Sequence, residues 1–318
     1  MIVTTLSNIK SQPLFYQAKN FLTNSDCYIK LEGFNIAGSL KLKSAARMVE
    51  VLEKNGEIRS NSVIVCSSSG NLGVALSILC KEKGYPFICV SDLNISPTSE
   101  RYIRLWDGEL IKVDKRDENG GYLATRIRLI QSMLDQNPNY VFVNQYEDKE
   151  NVNAHYLTTG HEIWSEFNKI DYLFVGAGTT GTLNGCAKFL KKFSPHTKII
   201  AVDAVGSVTF NKPAAKRYIP GLGTSLKPKL ATTEYIDDII WVKETDTVQM
   251  CRKLLKQYGL FLGGSSGTVL HGVKQYHSNI PPNSTVIAVS PDNGDRYLDT
   301  IYSDSWVEEK FNCTNAVI

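Results

Sequence analysis

Short apolar runs rich in β-branched residues alternate with longer stretches of helical period along most of the chain. S-V-I-V-C over 62–66 predicts a buried strand, and N-L-G-V-A-L-S-I-L-C-K-E-K-G over 71–84 predicts a helix closed by Gly84. The same reading gives strands at 86–91, 109–113 and 140–145, with helices at 98–106 and 121–135 between them. The rhythm resumes with a strand at 172–176, a helix at 181–192, strands at 198–203 and 239–242, a helix at 245–258 and a strand at 285–289. Strands that alternate with helices predict parallel sheets covered on both faces. The count suits two such α/β sheets, with a junction near 145–155 and no internal repeat.

Composition narrows the class. The 318 residues are 42% hydrophobic and 21% charged, as in a globular protein with a substantial core. With 35 basic and 32 acidic residues, the net charge of +3 offers no electrostatic footprint for nucleic acid or a membrane surface. The seven cysteines (27, 66, 80, 89, 186, 251 and 313) form no C-x-x-C pair and no zinc-like spacing with histidine, so no metal site is expected. Unpaired cysteines in apolar runs suit a reducing compartment. The first residues, M-I-V-T-T-L-S-N, lack the features of a signal peptide, and no apolar stretch approaches a membrane span. A cytoplasmic protein is the expectation.

Parallel α/β sheets bind ligands beyond the carboxyl ends of their strands, which directs attention to the strand-to-helix loops. C-S-S-S-G-N-L-G (66–73) offers Ser67, Ser68, Ser69 and Asn71 at a helix start, where free amides favour a carboxylate; the alternative is a serine cap and nothing more. G-A-G-T-T-G-T (176–182) lacks the Lys-Ser/Thr ending of a nucleotide loop and breaks G-x-G-x-x-G, so it suits a compact phosphate. G-G-S-S-G-T (263–268) offers a hydroxyl able to face a neutral ring nitrogen. N-I-A-G-S-L-K-L-K (35–43) places Lys41 and Lys43 just after a Gly-Ser bend. A phosphate cradle, a carboxylate cradle, a hydroxyl and a turn-flanked lysine together suit pyridoxal phosphate, whose aldehyde condenses with a lysine.

These motifs resemble the cysteine synthase/cystathionine β-synthase family of pyridoxal-phosphate enzymes. N-I-A-G-S-L-K is similar to the family's N-P-x-G-S-x-K, S-S-G-N to T-S-G-N, and G-T-T-G-T to G-T-G-G-T. N-Q-Y (144–146) and G-D-R-Y-L (294–298) also match family segments. The resemblance implies the fold type II architecture, like tryptophan synthase β: two doubly wound α/β domains with parallel sheets, in a homodimer. The smaller domain would span 36–145 and carry the carboxylate loop, with 1–35 plus 146–318 forming the larger. It further implies the Schiff base on Lys41. Cofactor contacts would come from Asn71, Gly178, Thr179, Thr180, Gly181, Thr182 and Ser265. Ser67, Ser68, Ser69, Asn71 and Gln145 would hold the substrate carboxylate.

The departures are informative. The family's K-D-R reads K-L-K here, Leu72 enters the carboxylate loop, and Thr180 stands where glycine is usual. D-x-x-I-S-P-T (92–98), G-G-Y-L-A-T-R-I (120–127) and G-D-R-Y-L-D-T-I-Y-S-D-S-W (294–306) resemble the subgroup of N-(2-amino-2-carboxyethyl)-L-glutamate synthases. That subgroup supplies the diaminopropionate precursor of the siderophore staphyloferrin B. The implied reaction is β-replacement: O-phospho-L-serine gives an α-aminoacrylate, and the amine of L-glutamate adds to it. Arg126, Tyr146 and Thr179 would meet the substrate's anionic groups, although Arg126 reads equally as a solvated helix arginine. Alternatives are a cysteine synthase using sulfide, a serine or threonine dehydratase, and a catalytically silent binding protein. The five histidines show no spacing that suggests a metal or triad.

Overall fold

A computed structural model describes residues 2–9 and 12–312; Cys313 lies outside the described residues. In chain order the elements are β1 (Phe15–Gln17), β2 (Asp26–Leu31), α1 (Lys41–Lys54), β3 (Val63–Ser67), α2 (Asn71–Lys83), β4 (Phe87–Asp92) and α3 (Pro97–Leu105). Then come β5 (Glu109–Val113), α4 (Leu123–Gln136), β6 (Tyr140–Val143), α5 (Lys149–His155) and α6 (His161–Glu166), the last two joined by a π-helical turn at Tyr156–Gly160. The remainder is β7 (Tyr172–Gly176), α7 (Gly181–Phe193), β8 (Lys198–Ala204), β9 (Asp238–Val242), α8 (Glu244–Tyr258), α9 (Gly264–Gln275), β10 (Thr285–Ser290) and α10 (Asp304–Phe311).

Two sheets result, as the alternation predicts. One runs β5-β4-β3-β6, parallel throughout. The other runs β1-β2-β10-β7-β8-β9 and is parallel except for the edge pair β1–β2. Successive side chains of a strand point to opposite faces. In β4, Phe87 and Cys89 join one core while Ile88 and Val90 join another. In β8, Ile200 and Val202 face one core, and Ile199 and Ala201 face the other. Continuous apolar runs are therefore required, because both faces of each sheet are covered.

The predicted α2 ends at Gly84, which adopts the left-handed cap at φ +76°. Strands at 109–113 and 172–176 fall as read from the sequence, while the strand expected over 140–145 stops at Val143. Elements absent from that reading are β1, β2, α1, the α5–α6 segment and α10. Residues 205–237 contain neither helix nor strand. The six described cysteines are buried free thiols. Among the described residues, no helix is long and apolar enough to cross a membrane, and no cluster of His, Cys, Asp or Glu is placed to hold a metal ion.

Candidate active site

Lys41 is positioned by the bend that precedes it. Asn35 accepts from the amide of Ala37 at 2.9 Å and donates to the carbonyls of Glu32 and Ser39, so residues 35–39 fold into a tight turn. Ser39 bridges to Asp292, and the Leu40 amide donates to Pro291 at 2.8 Å. The start of α1 is thus pinned to the carboxyl end of β10. Lys41 lies there half-buried, with no hydrogen bond or ion pair among the described residues. Burial without a counter-charge lowers its amine to about 8, from the usual 10.5.

A cleft opens beside Lys41 at the carboxyl ends of both sheets, lined by the loops after β3, β6, β7 and β10. Every site residue singled out from the sequence lines it except Ser67 and Gly181. Ser67 is buried, and its carbonyl accepts from Gln145 Nε2 at 2.9 Å. Gly181 opens α7 against Asn151, where a Cβ would come within 2.4 Å of that side chain. Arg126 is buried on the inner face of α4, so it is not a solvated helix arginine.

In the serine loop the helix-starting role is seen directly. Ser68 Oγ accepts from the amides of Gly70 and Gly73, each at 3.1 Å, and so caps α2. Ser69 has no hydrogen-bond partner among the described residues and lines the cleft. Asn71 lines it too, but its amide is engaged at both ends. Nδ2 donates to Asp292 Oδ2 at 2.7 Å, and Oδ1 accepts from Arg296 Nη1. Tyr297 also donates to Asp292, at 2.7 Å. Burial pushes the Asp292 carboxyl above its ordinary value, against the hydrogen bonds from Asn71 and Tyr297. This cluster was invisible as a site in the sequence, although G-D-R-Y-L had matched a family segment.

The 176–182 loop has the shape of an anion cradle. Thr180 holds φ +66° at the entry to α7 and places no side chain over the first-turn amides. Its hydroxyl accepts from Asn184 at 3.2 Å. A β-branched residue at positive φ is strained by about 1–3 kcal/mol, and the Asn184 bond helps hold it. A Cβ on Gly178 would lie 2.9 Å from the carbonyl of Gly221, so only glycine lets these two loops approach so closely. Thr179 Oγ1 accepts from Asn151 at 3.0 Å. Thr182 meets His155 Nε2 at 3.2 Å, which in turn meets Ser44 at 2.9 Å, while Nδ1 meets Thr159 at 3.0 Å. Burial, aided by Lys43 and Lys41, holds His155 well below the ordinary histidine value, so it is a neutral strut behind the cradle.

Ser265, near the start of α9, is buried with no hydrogen-bond partner among the described residues; its Oγ would lie 2.5 Å from a Cβ on Gly221. Arg126 pairs with Asp92 at 3.4 Å and faces Tyr146, while its Nε and Nη1 lack hydrogen-bond partners. Burial opposes the guanidinium charge, but Tyr146 and Asp92 outweigh it and raise the pKa.

These features fit pyridoxal phosphate. The first turn of α7, where only the Gly181 amide meets a side chain (Thr179 Oγ1 at 3.4 Å), and the Thr179, Thr180 and Thr182 side chains suit its phosphate, the isolated Lys41 amine its aldehyde, and the unpartnered Ser265 hydroxyl its ring nitrogen. The comparisons agree. The family described as pyridoxal-phosphate dependent enzyme matches residues 7–292. A hydrogen sulfide-producing enzyme from Fusobacterium nucleatum is 28% identical with a TM-score of 0.88, over 93% of this chain and 100% of that one. An O-acetylserine dependent cystathionine beta-synthase from Helicobacter pylori is 26% identical with a TM-score of 0.89, over 95% and 100%. O-ureido-L-serine synthase shares the fold at 24% identity and a TM-score of 0.87, over 98% and 96%.

Proposed function

As the chain belongs to the pyridoxal-phosphate dependent enzyme family, we propose that it replaces the phosphate of O-phospho-L-serine with the amino group of L-glutamate. The product would be N-(2-amino-2-carboxyethyl)-L-glutamate, a precursor of diaminopropionate in siderophore or related assembly, made by a cytoplasmic homodimer. The observation that carries this reading is Arg126, a buried cation in the cleft wall whose Nε has no hydrogen-bond partner and whose Nη1 has only the 3.4 Å ion pair to Asp92. A phosphate leaving group offers such a cation several charged acceptors, whereas an acetyl ester offers only a neutral carbonyl. L-Glutamate as donor rests on the sequence likeness of 92–98, 120–127 and 294–306 to that subgroup.

Pyridoxal phosphate, when bound, supplies an electron-withdrawing ring that acidifies the α-proton of an attached amino acid. The chain does the rest. Lys41 Nζ, with its lowered pKa, takes the proton from the substrate α-carbon near neutral pH and later returns it. The Cβ–O bond breaks as Arg126 and Tyr146 receive the departing phosphate. The glutamate nitrogen forms the new bond to Cβ and loses a proton. Ser69 and the 68–71 loop orient the carboxylate throughout, so only the β-substituent changes place.

Holoenzyme is incubated with O-phospho-L-serine and either L-glutamate or sulfide, and products are identified by mass spectrometry. A glutamate adduct with release of phosphate is expected. Cysteine without a glutamate adduct would make the protein a cysteine synthase, and pyruvate alone a dehydratase. No turnover and no visible cofactor band would make it a silent binding protein.

A further inference from the structure

The longest stretch without helix or strand, residues 205–237, reaches the rim of the cleft and carries an arginine that the proposed reaction does not yet use. Loops of this length in compact folds are commonly functional. Arg217 lines the cleft, donates from Nη1 to the carbonyl of Leu222 at 2.8 Å, and has a buried Nε with no partner. Room for it is made by Gly223, at φ +68°, where a Cβ would lie 2.5 Å from Nη1.

Arg217 forms no ion pair among the described residues, and Glu244 and Asp117 beside it are held by other groups. Glu244 accepts from the amides of Tyr218 and Ile219. Asp117 accepts from the amides of Asn119 and Gly121 in its own turn, from that of Ala124 in α4, and from the Ser225 hydroxyl. Asp203 accepts from the Ala204 amide through Oδ1, its buried Oδ2 has no hydrogen-bond partner, and it stands outside ion-pair distance of Arg217. Burial accordingly pulls the Arg217 guanidinium below its ordinary value, against the partial counter-pull of Glu244, Asp203, Asp117 and Tyr146. Arg126 differs in having Asp92, and Arg296 in having two of its nitrogens held, by Asn71 and the carbonyl of Ala37. A half-buried cation at a ligand cleft with no carboxylate within ion-pair distance favours an anionic ligand.

We propose that Arg217 binds a carboxylate of the incoming amine donor and so selects an anionic second substrate. The proposal rests on the reading above, in which L-glutamate is that donor. L-Glutamate carries two carboxylates, and the donor analogues separate them: L-glutamine keeps the α-carboxylate, and 4-aminobutyrate keeps the side-chain one.

The test compares wild-type holoenzyme with Arg217→Gln and Arg217→Lys. In Arg217→Gln the KM for L-glutamate should rise about ten- to a hundredfold, the scale of a lost charge-assisted hydrogen bond. Arg217→Lys should recover part of that loss. The KM for O-phospho-L-serine and single-turnover phosphate release without glutamate should not change, and the melting temperature should hold or rise. Whichever analogue is insensitive to Arg217→Gln has lost the carboxylate that Arg217 binds. An unchanged glutamate KM in Arg217→Gln overturns the proposal while leaving the proposed reaction intact. So does an equal rise for O-phospho-L-serine, which would assign Arg217 to the leaving group. If wild-type enzyme forms no glutamate adduct, the reading itself fails and the proposal with it.

Discussion

Lys41 and Lys43 lie two residues apart on the first turn of α1 yet meet opposite surroundings. Lys41 has no counter-charge and an amine near 8, while Lys43 donates to Glu32 at 2.9 Å and Glu162 at 2.7 Å. Lys30 bonds the same two carboxylates, closing a square of two cations and two anions in which Lys30 and Glu32 are buried and Lys43 and Glu162 half-buried. Removing one member leaves a carboxylate under-compensated, so Lys43→Met should cost about 3 kcal/mol, read as a lower urea midpoint. The variant should still bind cofactor; an unchanged midpoint would show the square to be dispensable. Lys41 sets a different pH signature. Only the neutral amine attacks an aldehyde, so cofactor uptake by the apoprotein should speed up as pH rises and level off above about 8. A lysine at its usual 10.5 would show no plateau before pH 10. Absorbance stopped-flow across pH 6–10 distinguishes the two.

At the scale of elements, the β–α rhythm is legible because buried parallel strands must be apolar on both faces. β2 is not, because D-C-Y-I-K-L carries Lys30 in its middle. Only the fold reveals that Glu32 and Glu162 neutralise it. The glycine–threonine loop is legible as an anion cradle from its composition, whereas its supports are not. Asn151, His155 and Asn184 come from helices whose sequence periodicity says nothing of hydrogen bonds across the fold. Arg217 escapes notice for a related reason: a segment without periodicity gives no clue to what it faces. Within the cradle, Gly178→Ala would drive a methyl to 2.9 Å from the Gly221 carbonyl and shift one loop. Cofactor affinity should fall about tenfold, measured by absorbance titration; unaltered affinity would mean the loops yield without cost.

Over the whole molecule, the two sheets meet across the cleft, and a small clasp joins its walls. Ser225 Oγ donates to Asp117 Oδ2 at 2.8 Å, and Asn119 Nδ2 donates to the Ser225 carbonyl at 2.7 Å. We place 36–145 in the smaller domain, so this clasp would tie it to the larger one over the site. Ser225→Ala removes one of the two bonds, worth about 1 kcal/mol, and should raise the KM of both substrates roughly fivefold. Faster hydrogen exchange at residues 117–121 should accompany it; exchange identical to wild type would leave the clasp without a role in closure. We propose that the cleft is organised around Lys41 as the amine that holds pyridoxal phosphate. The most direct measurement is borohydride reduction of the purified holoprotein, digestion and tandem mass spectrometry. The account predicts a pyridoxyl phosphate adduct on the peptide bearing Lys41, at Lys41 itself; an adduct on Lys43 or another lysine, or none at all, would contradict it.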